Sequence, residues 1–171
     1  KKGDAAILKD LIKILSLEKI KVISSTYFNP ELSLKRGNYS KFRPNKYDLI
    51  DIKKGMRILQ KSNSYDHVQA VIVKNNIVFT ESYKGTKKLI QSIKKTKIKS
   101  GILIKFPKKK QDLKADLPTI GLDTFKDCKK VGLKGVVLKN KQNIFLDKKA
   151  CINFANKNKM FIAVKWKRYL Y

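Results

Sequence analysis

Thirteen acidic residues stand against 41 lysines and arginines in this 171-residue chain, giving a formal net charge of +28. Two of those acids, Asp112 and Asp116, sit four positions apart in a lysine-rich stretch, residues 105–119 (KFPKKKQDLKADLPT). One reason to keep carboxylates there is a hard divalent cation, because Mg²⁺ takes one or two carboxylates, several waters and phosphate oxygens. Lysines beside them would neutralise a phosphate and the negative charge that builds on it during attack. The other reading is a solvated loop whose acids balance local lysines, since Asp-x-x-x-Asp spacing is not specific.

Other chemistry-bearing residues are sparse. His67 is the single histidine and follows Asp66 at the mouth of a strand pattern. Adjacent strand residues point to opposite faces, so the pair reads as structural rather than catalytic. Cys128 and Cys151 have no CxxC spacing and fall in helical patterns, which predicts buried, reduced thiols.

The acidic loop must hang from a strand, and residues 101–106 (GILIKF) supply one. Sheets of α/β type commonly place ligands beyond the carboxyl ends of their strands. Around that strand the chain alternates. Asp4 opens a helix with Ile7, Leu8, Leu11, Ile12 and Leu15 at helical spacing. Residues 19–25, holding KVIS, read as a strand, and 28–46, with Pro30, Gly37, Asn38 and Pro44, as a linker or loop. Asp48 or Asp51 opens a helix to about Lys61, with Ile52, Met56 and Leu59 on one face. Residues 68–73 and 77–80 form a hairpin around Asn75-Asn76, and 86–96 a helix with Leu89, Ile90 and Ile93 inward. After the loop come a helix over 123–131 ended by Gly132, a second strand pair over 135–138 and 143–146, a helix capped by Asp147, and a closing strand over 160–164. Asp123 reads as a helix cap. This alternation predicts an α/β (or α+β) domain with a mixed sheet and flanking helices.

Composition bounds the function. An apolar fraction of 42% suits a packed core rather than a disordered chain. No apolar run approaches the roughly 20 residues that cross a bilayer, and no signal peptide pattern appears, so the chain reads as cytoplasmic. It opens on Lys1 rather than Met, which reads as a truncated, processed or fragmentary chain. Only four basic residues are Arg (Arg36, Arg43, Arg57 and Arg168), whereas phosphate and guanine recognition favours Arg forks. No aromatic-interleaved basic stripe supports a nucleic-acid module, and none is expected as a partner. Residues 166–171 (WKRYLY) fit either an ordinary domain edge or a membrane-interface contact.

Residues 103–124 read LIKFPKKKQDLKADLPTIGLDT, which is similar to the pattern LVKxxKPGQDxRxDLPxIGxxT of LpxI-type UDP-2,3-diacylglucosamine diphosphatases. The resemblance continues in order along the chain, through GDAAILKDLI, DIKKGMRIL, DHVQAVIVKNN, GTKKLI and VGLKGVVLKNKQNIFLDK. It implies residues 1–45 as the tail of an amino-terminal Rossmann-like domain with linker, and 46–171 as the carboxy-terminal catalytic domain. It further implies Mg²⁺-assisted attack of water on the α-phosphorus of UDP-2,3-diacylglucosamine, releasing UMP and 2,3-diacylglucosamine 1-phosphate (lipid X). A homodimer acting peripherally at the inner membrane surface is implied as well. Carried over by position, Asp116 is the catalytic residue and Mg²⁺ ligand, with Asp112 as second carboxylate. Gln111, Lys105 and Lys114 would meet phosphates or uridine, and Gln69, Thr86 and Thr119 complete the substrate-binding set. The chain departs from the family where EAxEGTD has become ESYKGTK, so Lys84 and Lys87 stand at two acidic positions while Glu81 remains. The Pro-Gly of KPGQD and a Gly of DVGQA are also replaced. A family remnant that folds without turnover is the alternative these departures keep open.

Overall fold

The structure, a computed structural model, describes residues 4–61, 68–108 and 111–165. His67, Lys109, Lys110, residues 166–171 and the Asp4 side chain lie outside the described residues, and with them the readings made there. Along the chain run α1 (Asp4–Leu17), α2 (Ser25–Phe28), β1 (Gly37–Asn38), α3 (Lys46–Lys61), β2 (Ala70–Lys74), β3 (Ile77–Thr80) and α4 (Gly85–Gln91). They are followed by β4 (Ile102–Lys105), β5 (Thr119–Ile120), α5 (Leu122–Lys130), β6 (Gly135–Lys139), β7 (Ile144–Phe145), α6 (Lys148–Lys157) and β8 (Phe161–Lys165).

Short β-branched runs (AVIVK, ILIK, GVVLK, FIAVK) build the sheet, buried on both faces over nearly their whole length, as expected of strands covered by helices on each side. Six strands form one mixed sheet in the order β1-β8-β6-β4-β2-β3. β4, β6 and β8 run parallel, while β2, β3 and β1 join antiparallel. The β2–β3 hairpin turns at Asn75 and Asn76, with φ of 51° and 63°, a left-handed turn that asparagine tolerates. Alternation then divides the core. Ala70, Ile72, Leu103, Val136, Leu138 and Ile162 pack beneath α4, α5 and α6. Val71, Val73, Ile102, Ile104 and Val137 pack beneath α3, through Ile52 and Met56. Gly55 lets α3 approach closely, since a Cβ there would collide with the end of Ile104. Asn45 and Asp48 start α3 reciprocally: each side chain accepts from the other's amide, at 2.9 and 3.0 Å.

Several expectations are corrected. Residues 19–25 form no strand; no described strand pairs with them, Lys19 takes a φ of 59°, and the Ser24 hydroxyl instead accepts from the Thr26 amide at the start of α2. Part of the stretch read as a linker enters the sheet, with Gly37 and Asn38 opposite Val164 and Ala163 and Leu34 buried in the core. Helix α4 stops at Gln91, short of Thr96, where the Ser92 hydroxyl bonds back to the Leu89 carbonyl and Lys74 Nζ takes the Lys94 carbonyl. Residues 135–139 and 144–145 do not pair with each other; β7 lies parallel to β5 in a separate two-stranded sheet. Asn143 explains this, because its side chain accepts from the Lys139 amide and donates to the Lys105 carbonyl. That turns the chain off β6 and lets the Ile144 amide reach the Pro118 carbonyl. Neither aspartate caps its helix through a side-chain bond. Asp147 precedes α6 at a φ of 48°, and Asp123 bonds Lys126 across the first turn of α5 at 3.0 Å.

Candidate active site

Strand β4 delivers Lys105 to the carboxyl end of the parallel strands, where the loop bearing the two aspartates begins. The Lys105 side chain is buried, and its ammonium donates to the Thr119 carbonyl at 2.9 Å. Burial pulls its pKa below the usual lysine value, and the negative charge of Glu81 pushes it back. One bond thus ties the strand to the DLPTIG run, and Asn143 ties the same strand end to β7 through the Lys105 carbonyl.

Within the loop the two aspartates differ. Asp112 Oδ1 accepts from the amides of Lys114 and Ala115, at 2.7 and 3.4 Å, and closes a turn over residues 112–115. The same turn places the Asp116 amide on the Asp112 carbonyl at 3.0 Å. The half-buried Asp116 carboxylate receives no hydrogen bond from the described residues, so it is the acid left free for a ligand or a water. Lys114 is exposed, with its amide spent on Asp112. Gln111 is buried; its Oε1 accepts from the Lys108 amide at 2.8 Å, while its Nε2 has no partner among the described residues. Gln69 Oε1 is likewise buried and unpartnered. Buried polar atoms without protein partners are uncommon and mark places where water or ligand completes the pairing.

Thr86 and Gln69 meet at a residue that sequence reasoning left out of the site. The Glu81 carboxylate, 3% exposed, accepts the Thr86 hydroxyl at 2.6 Å and the Gln69 amide at 2.8 Å. A retained acid beside two lysine replacements was the only sequence signal for it. The Thr119 side chain is exposed, bonds the Leu117 carbonyl at 3.3 Å, and lines a hollow of about 400 Å³ with Gly121, Asp123, Thr124, Leu146 and Asp147. The first turn of α5 borders this hollow, and Gly121 supplies no side chain to cap it.

A metal can be held here by few protein atoms. No group of three or more His, Cys, Asp or Glu side chains gathers among the described residues. The free Asp116 carboxylate and the remaining Asp112 oxygen suit a Mg²⁺ ion that keeps its other positions for water and phosphate. The arrangement therefore offers two donors for phosphate oxygens, the buried Lys105 ammonium and the unpartnered Gln111 Nε2, beside a carboxylate that receives no hydrogen bond from the described residues.

The LpxI C-terminal domain family model matches residues 35–163. A curated relative, the UDP-2,3-diacylglucosamine pyrophosphatase LpxI of Caulobacter vibrioides, is 26% identical over 171 residues, covering 95% of this chain and 61% of that protein. The matched stretch takes in five strands of the main sheet, the first three residues of β8 and the whole loop from Lys105 to Thr119, and on that ground the chain belongs to the LpxI C-terminal domain family.

Proposed function

We propose that this chain carries the catalytic domain of a UDP-2,3-diacylglucosamine pyrophosphatase, with Asp116 as the acid on which turnover depends. The observation that carries this reading is the loop at the end of β4, where a buried lysine is bonded to the segment holding a free carboxylate. Water adds to the α-phosphorus and the bond from that phosphorus to the bridging oxygen breaks, giving UMP and 2,3-diacylglucosamine 1-phosphate. Asp116 orients the water and takes its proton, and Lys105 meets the negative charge gathering on the phosphates. Gln69, Gln111, Lys114, Thr86 and Thr119 border the substrate. Asp116 and Asp112 would hold Mg²⁺, which when bound supplies further charge neutralisation at the pyrophosphate. The domain doing this chemistry takes in the residues from about Leu34 onward, because Leu34 lies in its core and Gly37 and Asn38 pair with β8.

A second reading, a family member that folds without turnover, is favoured by Lys84 and Lys87, which flank the Glu81–Thr86 bond with positive charge. One assay separates the two. Folded protein is incubated with UDP-2,3-diacylglucosamine and Mg²⁺ beside the Caulobacter vibrioides relative, and UMP and lipid X are followed. Release by both supports hydrolysis, and Asp116→Ala then lowers kcat by about 100-fold or more. Release by the relative alone sinks the enzymatic reading.

A further inference from the structure

The strand register places three residues in one row across the sheet. Ala70 of β2 lies opposite Lys105 of β4, and the amide of Glu81, one residue past β3, donates to the Ala70 carbonyl at 3.0 Å. Residues directly opposite in antiparallel strands share a face, and Ala70 belongs to the core beneath α4, α5 and α6. Lys105 and Glu81 therefore rise from that same face, on the strand positions either side of Ala70. Strand spacing puts their backbones about 10 Å apart, and a single methyl group stands between them.

Both side chains are buried, at 8% and 3% exposure, yet among the described residues no ion pair joins them. Glu81 is fixed at both oxygens, by the Thr86 hydroxyl and the Gln69 amide. Among the described residues the Lys105 ammonium has one partner, the neutral Thr119 carbonyl. An ammonium carries three donors, so two remain unspent. A carboxylate in direct contact would have consumed them. One placed a strand away favours the charge while leaving those donors for anionic oxygens. Other charged groups stand on the surrounding elements: Lys108, Asp112, Lys114 and Asp116 on the loop, Lys87 and Lys88 on α4, and Asp123 on α5. Glu81 is the one whose field registers on Lys105.

We propose that Glu81 is a positioning residue of the site: clamped by Thr86 and the Gln69 amide, it holds Lys105 charged across Ala70 without pairing with it. This rests on the reading of Lys105 as the cation that receives phosphate. It assigns work to a carboxylate outside the candidate metal pair.

The test needs no substrate. The ¹³Cε resonance of Lys105, assigned by its loss in Lys105→Met, is titrated with pH in the full chain. In Glu81→Gln the midpoint is expected to fall by about one pH unit, and in Glu81→Asp, which keeps the charge, by less. An unchanged midpoint in folded Glu81→Gln overturns the proposal. Should that variant fail to fold by circular dichroism, Thr86→Val releases one carboxylate oxygen and retains the charge. The freed carboxylate can then approach the Lys105 ammonium, so the midpoint has to rise, and an unchanged midpoint would overturn the proposal equally. If the chain hydrolyses UDP-2,3-diacylglucosamine, the alkaline limb of kcat/KM follows the same displacement. If it does not, the titration still decides, so failure of the activity is not mistaken for failure of the clamp.

Discussion

At the scale of single residues, burial sets the chemistry of the groups most easily mistaken for catalysts. Cys128 and Cys151 are free and buried in the helix-covered core. Desolvation, reinforced by Asp127, pushes the Cys128 thiol far up, and desolvation with Asp147 pushes Cys151 up to about 11. Thiolate is the reactive form. Ellman's reagent at pH 8 should therefore find no reactive thiol in the folded protein and two after denaturation; a rapid reaction in the native state would contradict their placement. Lys105 gives a pH dependence of opposite sign from the same origin. Its folded pKa lies below the unfolded 10.5 because burial disfavours the ammonium, Glu81 opposing. Between those two values the unfolded chain binds more protons, so stability gains as pH rises. Urea midpoints of the native chain should accordingly rise relative to Lys105→Met as pH climbs toward 10.5. A constant difference between the two proteins across that range would show that Lys105 is not desolvated.

At the scale of elements, the site depends on how β4 is started and how its end is tethered. Gly101 precedes the strand at a φ of 87°, and a Cβ there would come within 2.8 Å of Lys74 Cβ and 3.1 Å of Leu133 Cδ2. Lys74 has little room to yield, since its Nζ bonds the Lys94 carbonyl and the Thr96 hydroxyl at 3.0 and 3.1 Å. Gly101→Ala combines left-handed strain with overpacking and should cost about 2–4 kcal/mol in chemical denaturation. A loss below about 0.5 kcal/mol would mean that the start of β4 is not held as described. At its other end, β4 meets the Asn143 side chain and the Thr119 carbonyl, so the loop is anchored on both sides. Hairpin, helices and inner strands were legible from periodicity, because apolar spacing records which face of an element is covered. The pairing of β7 with β5 was not. It depends on one buried asparagine satisfying a carbonyl 38 positions earlier in the chain.

At the scale of the whole molecule, the excess of positive charge outruns the available pairing. Three ion pairs are formed among the described residues, Lys126–Asp123, Lys130–Asp127 and Lys134–Asp48, and only the last involves a buried acid, so most of the +28 repels itself. Self-repulsion of this kind destabilises the compact state and is screened by salt over about 10 Å at 0.1 M. The thermal midpoint should rise on going from low salt to about 0.2 M NaCl, measured with an anion that does not bind specifically. A midpoint that falls or stays level would show that the charge is not a net burden on the fold. Among the described residues no helix is long and apolar enough to cross a membrane. The exposed apolar residues Ile7, Leu11 and Ile14 of α1 and the Tyr27–Phe28 edge-to-face pair of α2 are surface features of this chain.

The amino-acid sequence by itself determined the alternation of strands and helices, the mixed sheet with flanking helices and the kinship carried by the QDLKADLPTIG run. Those are local properties, written in side-chain types at spacings of two and three to four residues and in contiguous motifs. Tertiary structure alone decided that, among the described residues, 19–25 find no strand partner and Asp112 spends an oxygen on its own turn while the Asp116 carboxylate receives no hydrogen bond. It also set Glu81 opposite Lys105 across Ala70. Each of these depends on which distant carbonyl or amide competes for the same hydrogen bond, and that competition is settled only once the sheet register is fixed.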